Sequence, residues 1–161
     1  MDRDTLEYYD RHAAEVADRY ESASGGVASF FPFVFEKGER VLDIGAGTCR
    51  DAAVLLGLGI DIHAVEPSSG LRERAAALHP ELSGRVFDGA LPGLLPPQAA
   101  GPYDGILVSA VLMHIADAQL FDAVGWPGRF VHLVPVGVGA LGGRSGGIGQ
   151  LRGERVVVRC R

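Results

Sequence analysis

The chain has 161 residues, 47% of them hydrophobic, which is the length of one domain and enough to bury a core. Its formal net charge of −5 argues against a general nucleic-acid or acidic-membrane binder, and Cys49 and Cys160 give neither a disulfide framework nor a metal-ligand spacing. The start, Met1-Asp2-Arg3-Asp4, is too polar for a secretory signal, and the longest apolar run, Ile106 to Met113, is too short to span a bilayer, so a cytoplasmic protein is expected.

In chain order, Asp4 opens a predicted helix with Glu7 as its capping-box partner. Leu6, Tyr9, Ala13, Val16 and Tyr20 fall at spacings of three and four and form one apolar stripe, and Gly25-Gly26 stop the helix. Val27 to Phe35 reads as a short apolar helix that packs under a sheet. Glu36 to Glu39 is a turn, and Arg40 to Ile44 is the first strand.

That strand runs into Asp43-Ile44-Gly45-Ala46-Gly47 and then a helix over Thr48 to Leu58. Gly45 and Gly47 can take positive φ and let backbone approach a ligand, and the helix N-terminus favours an anionic ligand group. Ile60 to Val65 is the second strand, on which His63 reads as a half-exposed strand residue. Glu66 ends it, 19 residues beyond Gly47, where a carboxylate can accept both hydroxyls of a ribose. A helix from Ser68-Ser69 to Leu78 ends at His79-Pro80. Arg85 to Phe87 is a short third strand followed by Asp88-Gly89, and Leu91 to Pro102 is a proline-rich loop. Gly105 to Ser109 is the fourth strand. His114 follows an apolar segment, and a further helix is predicted from about Asp117.

Alternating strands and helices predict an α/β fold with a doubly wound, mostly parallel sheet. Ligands in such sheets bind beyond the carboxyl ends of the strands, at the switch in strand order. Asp43, Glu66, Asp88 and Ser109 all fall at predicted carboxyl ends.

The D-x-G-x-G run at Asp43 to Gly47, with Glu66 closing the next strand, resembles the signature of class I S-adenosylmethionine-dependent methyltransferases. The resemblance covers roughly residues 5 to 124. It implies a Rossmann-like core, S-adenosylmethionine as cofactor, and a methyl acceptor that is a small molecule. It implies cofactor contacts from Asp43, Gly45, Ala46, Gly47, Arg50, Glu66, Pro67, Asp88, Gly89 and Ser109, with the methionine carboxylate at the helix N-terminus and the adenine amino group at Asp88. The Tyr9 and Tyr20 helix would lie over the cofactor. Methyl transfer from a sulfonium needs alignment and exclusion of water rather than a metal or a protein nucleophile. His114 is the best-placed residue to act as base on the acceptor.

Two departures matter. Cys49 stands where family loops often have a third glycine, which implies a stiffer loop, and a small buried cysteine is expected there. The second departure is the tail. Residues up to 124 carry 19 acidic and nine basic side chains, net −10, whereas residues 125–161 carry Glu154 and six arginines, net +5. Seven glycines lie between Gly137 and Gly149. Residues 1–124 are therefore expected to form the cofactor-binding core and 125–161 an atypical tail with incomplete C-terminal strands, out of register with the ancestral chain through a frame change or deletion. Trp126 to Phe130 faintly echoes the family's turn before a fifth strand. Phe130 to Val134 is expected to pair beside the fourth strand as a new edge, with Pro135 ending the ladder. Otherwise a homodimer would cover that edge, so the chain is expected to be a monomer or such a dimer, with weak or absent turnover.

Two other functions compete. A nicotinamide-dependent oxidoreductase would need glycine or alanine at position 50 of G-x-G-x-x-G, where Arg50 stands. A non-catalytic domain that binds S-adenosylmethionine or a protein partner is favoured by the tail.

Overall fold

The computed structural model describes residues 3–23, 27–91, 101–109, 111 and 114, and the backbone of 131–136 and 155–160. In chain order the elements are α1 (Arg3–Arg11), α2 (Ala13–Ser22), a 3-10 turn (Val27–Phe30), α3 (Phe31–Val34), β1 (Arg40–Ile44), α4 (Arg50–Gly57), β2 (Asp61–Val65), α5 (Ser69–Leu78), a 3-10 turn (Pro80–Leu82), β3 (Val86–Phe87), β4 (Gly105–Ser109), β5 (Val131–Val136) and β6 (Arg155–Cys160).

The strands form one six-stranded sheet in the order β3-β2-β1-β4-β6-β5. β1 pairs in parallel with β2 on one side and β4 on the other, and β3 extends the sheet beyond β2. The expected doubly wound parallel core is therefore present, with its switch between β1 and β4. Its strands are apolar on both faces because helices cover both. Val41, Leu42, Ile62, Val65 and Leu107 are wholly buried. Val27, Phe31 and Phe35 pack with Leu55 of α4 and Leu82, so the apolar stretch before β1 lies under the sheet as its sequence requires.

The first helical stretch is broken at His12 (φ −107, ψ 17), which divides it into α1 and α2. Glu7 does not close a capping box. Its carboxylate pairs with Arg3 at 3.2 Å and Arg11 at 3.1 Å along the exposed face, where two arginines one turn away on either side outcompete a backbone amide.

The edge beyond β4 differs from expectation. β6 lies antiparallel against β4, with Ile106 opposite Val158 and Leu107 opposite Val157. The strand expected over Phe130 to Val134 forms as Val131–Val136, but it pairs with β6 and sits one strand further out. Pro135 does not end the ladder, which continues to Val136 opposite Arg155. Because β5 is the outer strand, a residue without an N–H is tolerated in it. The signal for β6 was the run Val156-Val157-Val158, since three consecutive β-branched residues suit a paired strand. Residues 92–100, the helix expected from Asp117, the turn at Trp126 to Phe130 and the glycine-rich stretch after β5 lie outside the described residues.

Candidate cofactor site

The carboxyl ends of β1, β2 and β4 open into a cavity of about 140 Å³. Asp43, Gly45, Ala46, Gly47, Thr48, Arg50, Asp51, Glu66 and Ser109 line its floor, with Leu71, Val111 and His114 at its sides and Tyr9 and Tyr20 above. Of the residues expected to hold the cofactor, Asp43, Gly45, Ala46, Gly47, Arg50, Glu66 and Ser109 meet here.

The glycine loop is built for close packing. Gly45 and Gly47 both have positive φ, 70° and 58°. A Cβ at Gly45 would overlap Val111 Cγ2, and one at Gly47 would lie 3.1 Å from the Tyr20 ring. The Gly45 and Ala46 amides both donate to the Val65 carbonyl, at 2.8 and 3.1 Å, which fastens the loop to β2. Cys49, the N-cap of α4, also has positive φ, 63°. A non-glycine residue there is uncommon, and this is the position at which the family glycine is missing. The Cys49 side chain is wholly buried, and burial, followed by Asp43 and Glu66, pushes its thiol pKa up. It is an inert packing thiol, since reactivity needs the thiolate.

Glu66 spans the site. One carboxylate oxygen accepts from the Gly47 amide at 2.9 Å and the other from the Ser68 amide at 2.9 Å. Burial raises its pKa, opposed by these two amides. Asp43 is 2% exposed, and its carboxyl is raised well above the usual range by burial, then by Asp51 and Glu66. Among the described residues Asp43, Asp51 and Glu66 thus border one cavity with Arg50 as its guanidinium, paired with Asp51 at 3.2 Å. The Arg50 guanidinium is itself engaged, donating to the Tyr20 carbonyl at 2.6 Å and the Ala23 carbonyl at 3.2 Å, where it caps the C-terminal end of α2.

Tyr20 and Tyr9 rest on Ala13, Val16 and Leu71, so the tyrosines both pack and face the cavity. Burial, reinforced by Tyr9, pushes the Tyr20 phenol up to about 12. The Tyr9 hydroxyl lies 3.3 Å from His114 Nε2. A second, small apolar cavity adjoins the first, lined by Ile44, Gly45, Pro67, Ala90, Leu91, Val111 and His114. Pro67 is therefore beside the site. Asp88 lies outside both cavities, exposed and 3.2 Å from Arg72, and Gly89 lines neither.

Three residues escaped the sequence reading. Asp51 carries a weak signal, an acid in the first turn of a helix. Asp10 carries none, because its partners are distant in sequence, and Arg72 carries none, because its partners at the site are backbone carbonyls that no side-chain pattern marks. Asp10 binds Ser68, and Arg72 donates to the Glu66 and Pro67 carbonyls at 2.6 and 2.9 Å. His63, away from the site, hydrogen-bonds Tyr103 at 3.0 Å as a half-buried strand residue. Among the described residues no group of three His, Cys, Asp or Glu is placed to hold a metal ion, and no helix is long and apolar enough to cross a membrane.

A parallel α/β sheet with a glycine loop after β1 and an acid after β2 defines a Rossmann-like domain with a carboxyl-end ligand cleft. A methyltransferase-domain family model matches residues 10–123, and the chain belongs to that family. It is 30% identical over 129 residues to an uncharacterized methyltransferase of Geobacillus kaustophilus, covering 78% of this chain and 58% of that one. It is 42% identical over 85 residues to a protein-L-isoaspartate O-methyltransferase of Methylorubrum extorquens, covering 50% of this chain and 36% of that one. The chain thus spans less than two thirds of these relatives' length. A TehB-like SAM-dependent methyltransferase from Corynebacterium glutamicum has a similar fold, with a TM-score of 0.62 at 18% identity, over 94% of this chain and 99% of that one.

Proposed function

We propose that this chain binds S-adenosylmethionine in the cleft above β1, β2 and β4 and transfers its methyl group to a small-molecule acceptor in the cytoplasm. The observation that carries this reading is the charge of the cleft. Among the described residues Asp43, Asp51 and Glu66 border it, and Arg50 there is tied to α2 and paired with Asp51, which leaves Asp43 and Glu66 without a cation. Such a wall suits a ligand with a sulfonium and an ammonium group and disfavours the pyrophosphate of a dinucleotide.

In this reading Glu66 and the Gly45–Gly47 loop hold the nucleoside end, Pro67 lies beside the base, and Asp43 and Ser109 face the rest. Asp88 and Gly89 would join only at the rim. The bound cofactor supplies an electrophilic methyl group. The protein supplies alignment, a dry wall from Tyr9, Tyr20 and Val111, and a base in His114, whose imidazole would take the proton of an acceptor hydroxyl, thiol or amine. Incubation with S-adenosylmethionine labelled on its methyl group, together with small-molecule extracts and an isoaspartyl peptide, tests this. Label in small molecules supports the proposal, and label in the peptide alone contradicts it.

A second reading, cofactor binding without turnover, is favoured by β6 lying antiparallel beside β4 where the family continues with a fifth strand. Binding with no methyl transfer to any acceptor would select it.

A further inference from the structure

α1 and α2 are held by different forces. α2 buries Ala13, Val16 and Ala17, whereas α1 buries no residue. Apolar burial is the main stabilising term in packing, so it fixes α2 more firmly than α1, whose Tyr9 is only partly buried against Ala13, Val16 and Leu71. α2 is also tied at its far end, by Arg50 to the Tyr20 carbonyl and by the Thr48 hydroxyl donating to Glu21 at 2.6 Å. Between the two helices, His12 leaves helical geometry.

The polar contacts between α1 and the start of α5 centre on Asp10. A single carboxylate oxygen of Asp10 accepts from Ser68 Oγ at 2.7 Å, the Gly70 amide at 3.0 Å and Ser69 Oγ at 3.3 Å. These donors hold its carboxyl below the usual range. The approach is close because Gly70 has no side chain. A Cβ there would lie 2.8 Å from Ala13 Cβ and 3.1 Å from the Asp10 carbonyl. Ser68 continues the path inward, since its amide donates to Glu66, whose other oxygen holds Gly47.

α1 carries Tyr9, which lines the cavity beside Tyr20 of α2, so outward movement of α1 would widen the cleft on that side.

We propose that α1 is a lid hinged at His12, and that Asp10 is the positioning residue that latches it to Ser68 and Gly70 and so couples lid closure to Glu66. This rests on reading the cleft as the S-adenosylmethionine site. A latch of charge-assisted hydrogen bonds at an exposed carboxylate, two of them exposed and the Ser68 one part-buried, suits a lid, because water can reach the carboxylate at each opening.

Two substitutions disturb the latch by different means. Asp10→Asn removes the charge that draws three donors to one oxygen. Gly70→Ala keeps the charge and suits a helix, but its Cβ wedges the Asp10 end of α1 and the Ala13 end of α2 off α5. The probe is S-adenosylhomocysteine, with its dissociation rate measured alongside hydrogen exchange of the amides of residues 3–11 and 13–22 in the ligand-free protein. Both variants should release the probe about tenfold faster, with α1 amides exchanging faster and, in Asp10→Asn, α2 amides unchanged. Wild-type dissociation rates in both variants, or α1 amides that already exchange fully in the wild type, overturn the latch. If the wild type does not bind the probe, the cofactor reading fails. The exchange data then decide the latch alone, with faster α1 exchange in both variants supporting it and unchanged exchange overturning it.

Discussion

The Glu66 carboxylate accepts the Gly47 amide at 2.9 Å, so the acid that ends β2 holds the loop that follows β1. The same carboxylate accepts the Ser68 amide that begins the turn into α5. Three segments of the cleft therefore share one buried side chain, 5% exposed.

Glu66→Ala should cost the cofactor its acceptor and release the Gly47 amide. Hydrogen bonds to a charged group are worth roughly 1.5–3 kcal/mol, so affinity for S-adenosylhomocysteine should fall about tenfold to a hundredfold. An unchanged dissociation constant would remove Glu66 from the site.

Asp43 should make the ligand-free protein less stable toward neutral pH. Its carboxyl is raised from an ordinary 3.8 by burial and by Asp51 and Glu66. A carboxyl with a raised folded-state pKa holds its proton more tightly when folded. Stability is then lost as pH climbs from about 4 through the raised value. Asp10 and Asp61 act in the opposite sense, because their lowered carboxyls contribute stability above 3.8 that is lost as pH falls through their folded values. Asp43→Asn should therefore raise the melting temperature at pH 7 by a few degrees, on the order of 1 kcal/mol, while weakening cofactor binding. A lower melting temperature at pH 7 would contradict this account of the burial penalty.

Cys49 should resist thiol reagents in the native protein at pH 8, since it is wholly buried and its pKa is pushed up. Peptide mapping after labelling distinguishes it from Cys160. Labelling of Cys49 as fast as in denaturant would show that the loop opens far more readily than its hydrogen bonds imply.

The β4–β6 ladder should protect the amides of Ile106 to Ser109. Deleting residues 155–161 removes the partner strand, so these amides should exchange faster and the protein should aggregate through an exposed apolar edge. Equal exchange rates with and without β6 would show that this strand does not cover the edge.

The parallel core was legible because each of its devices is local. Val41 to Gly47 states strand, turn and helix start in seven residues, and Glu66 ends an alternating strand one crossover away. β6 was hidden in an arginine- and glycine-rich context, and its pairing with β4 is non-local, which no periodicity reveals. The same holds inside the site. Arg50 was expected to contact the cofactor, but its donors meet the Tyr20 and Ala23 carbonyls some 30 residues earlier and the neighbouring Asp51. Asp10 carried no signal, because its partners at the start of α5 lie far along the chain.

If the acid-lined cleft is a site for S-adenosylmethionine, calorimetric titration of the whole chain with S-adenosylhomocysteine and, separately, with NAD will show it. Saturable one-to-one binding of S-adenosylhomocysteine is expected, weakened about tenfold or more by Glu66→Ala, with no binding of NAD. Binding of NAD, or S-adenosylhomocysteine binding that Glu66→Ala leaves untouched, would rule this site out.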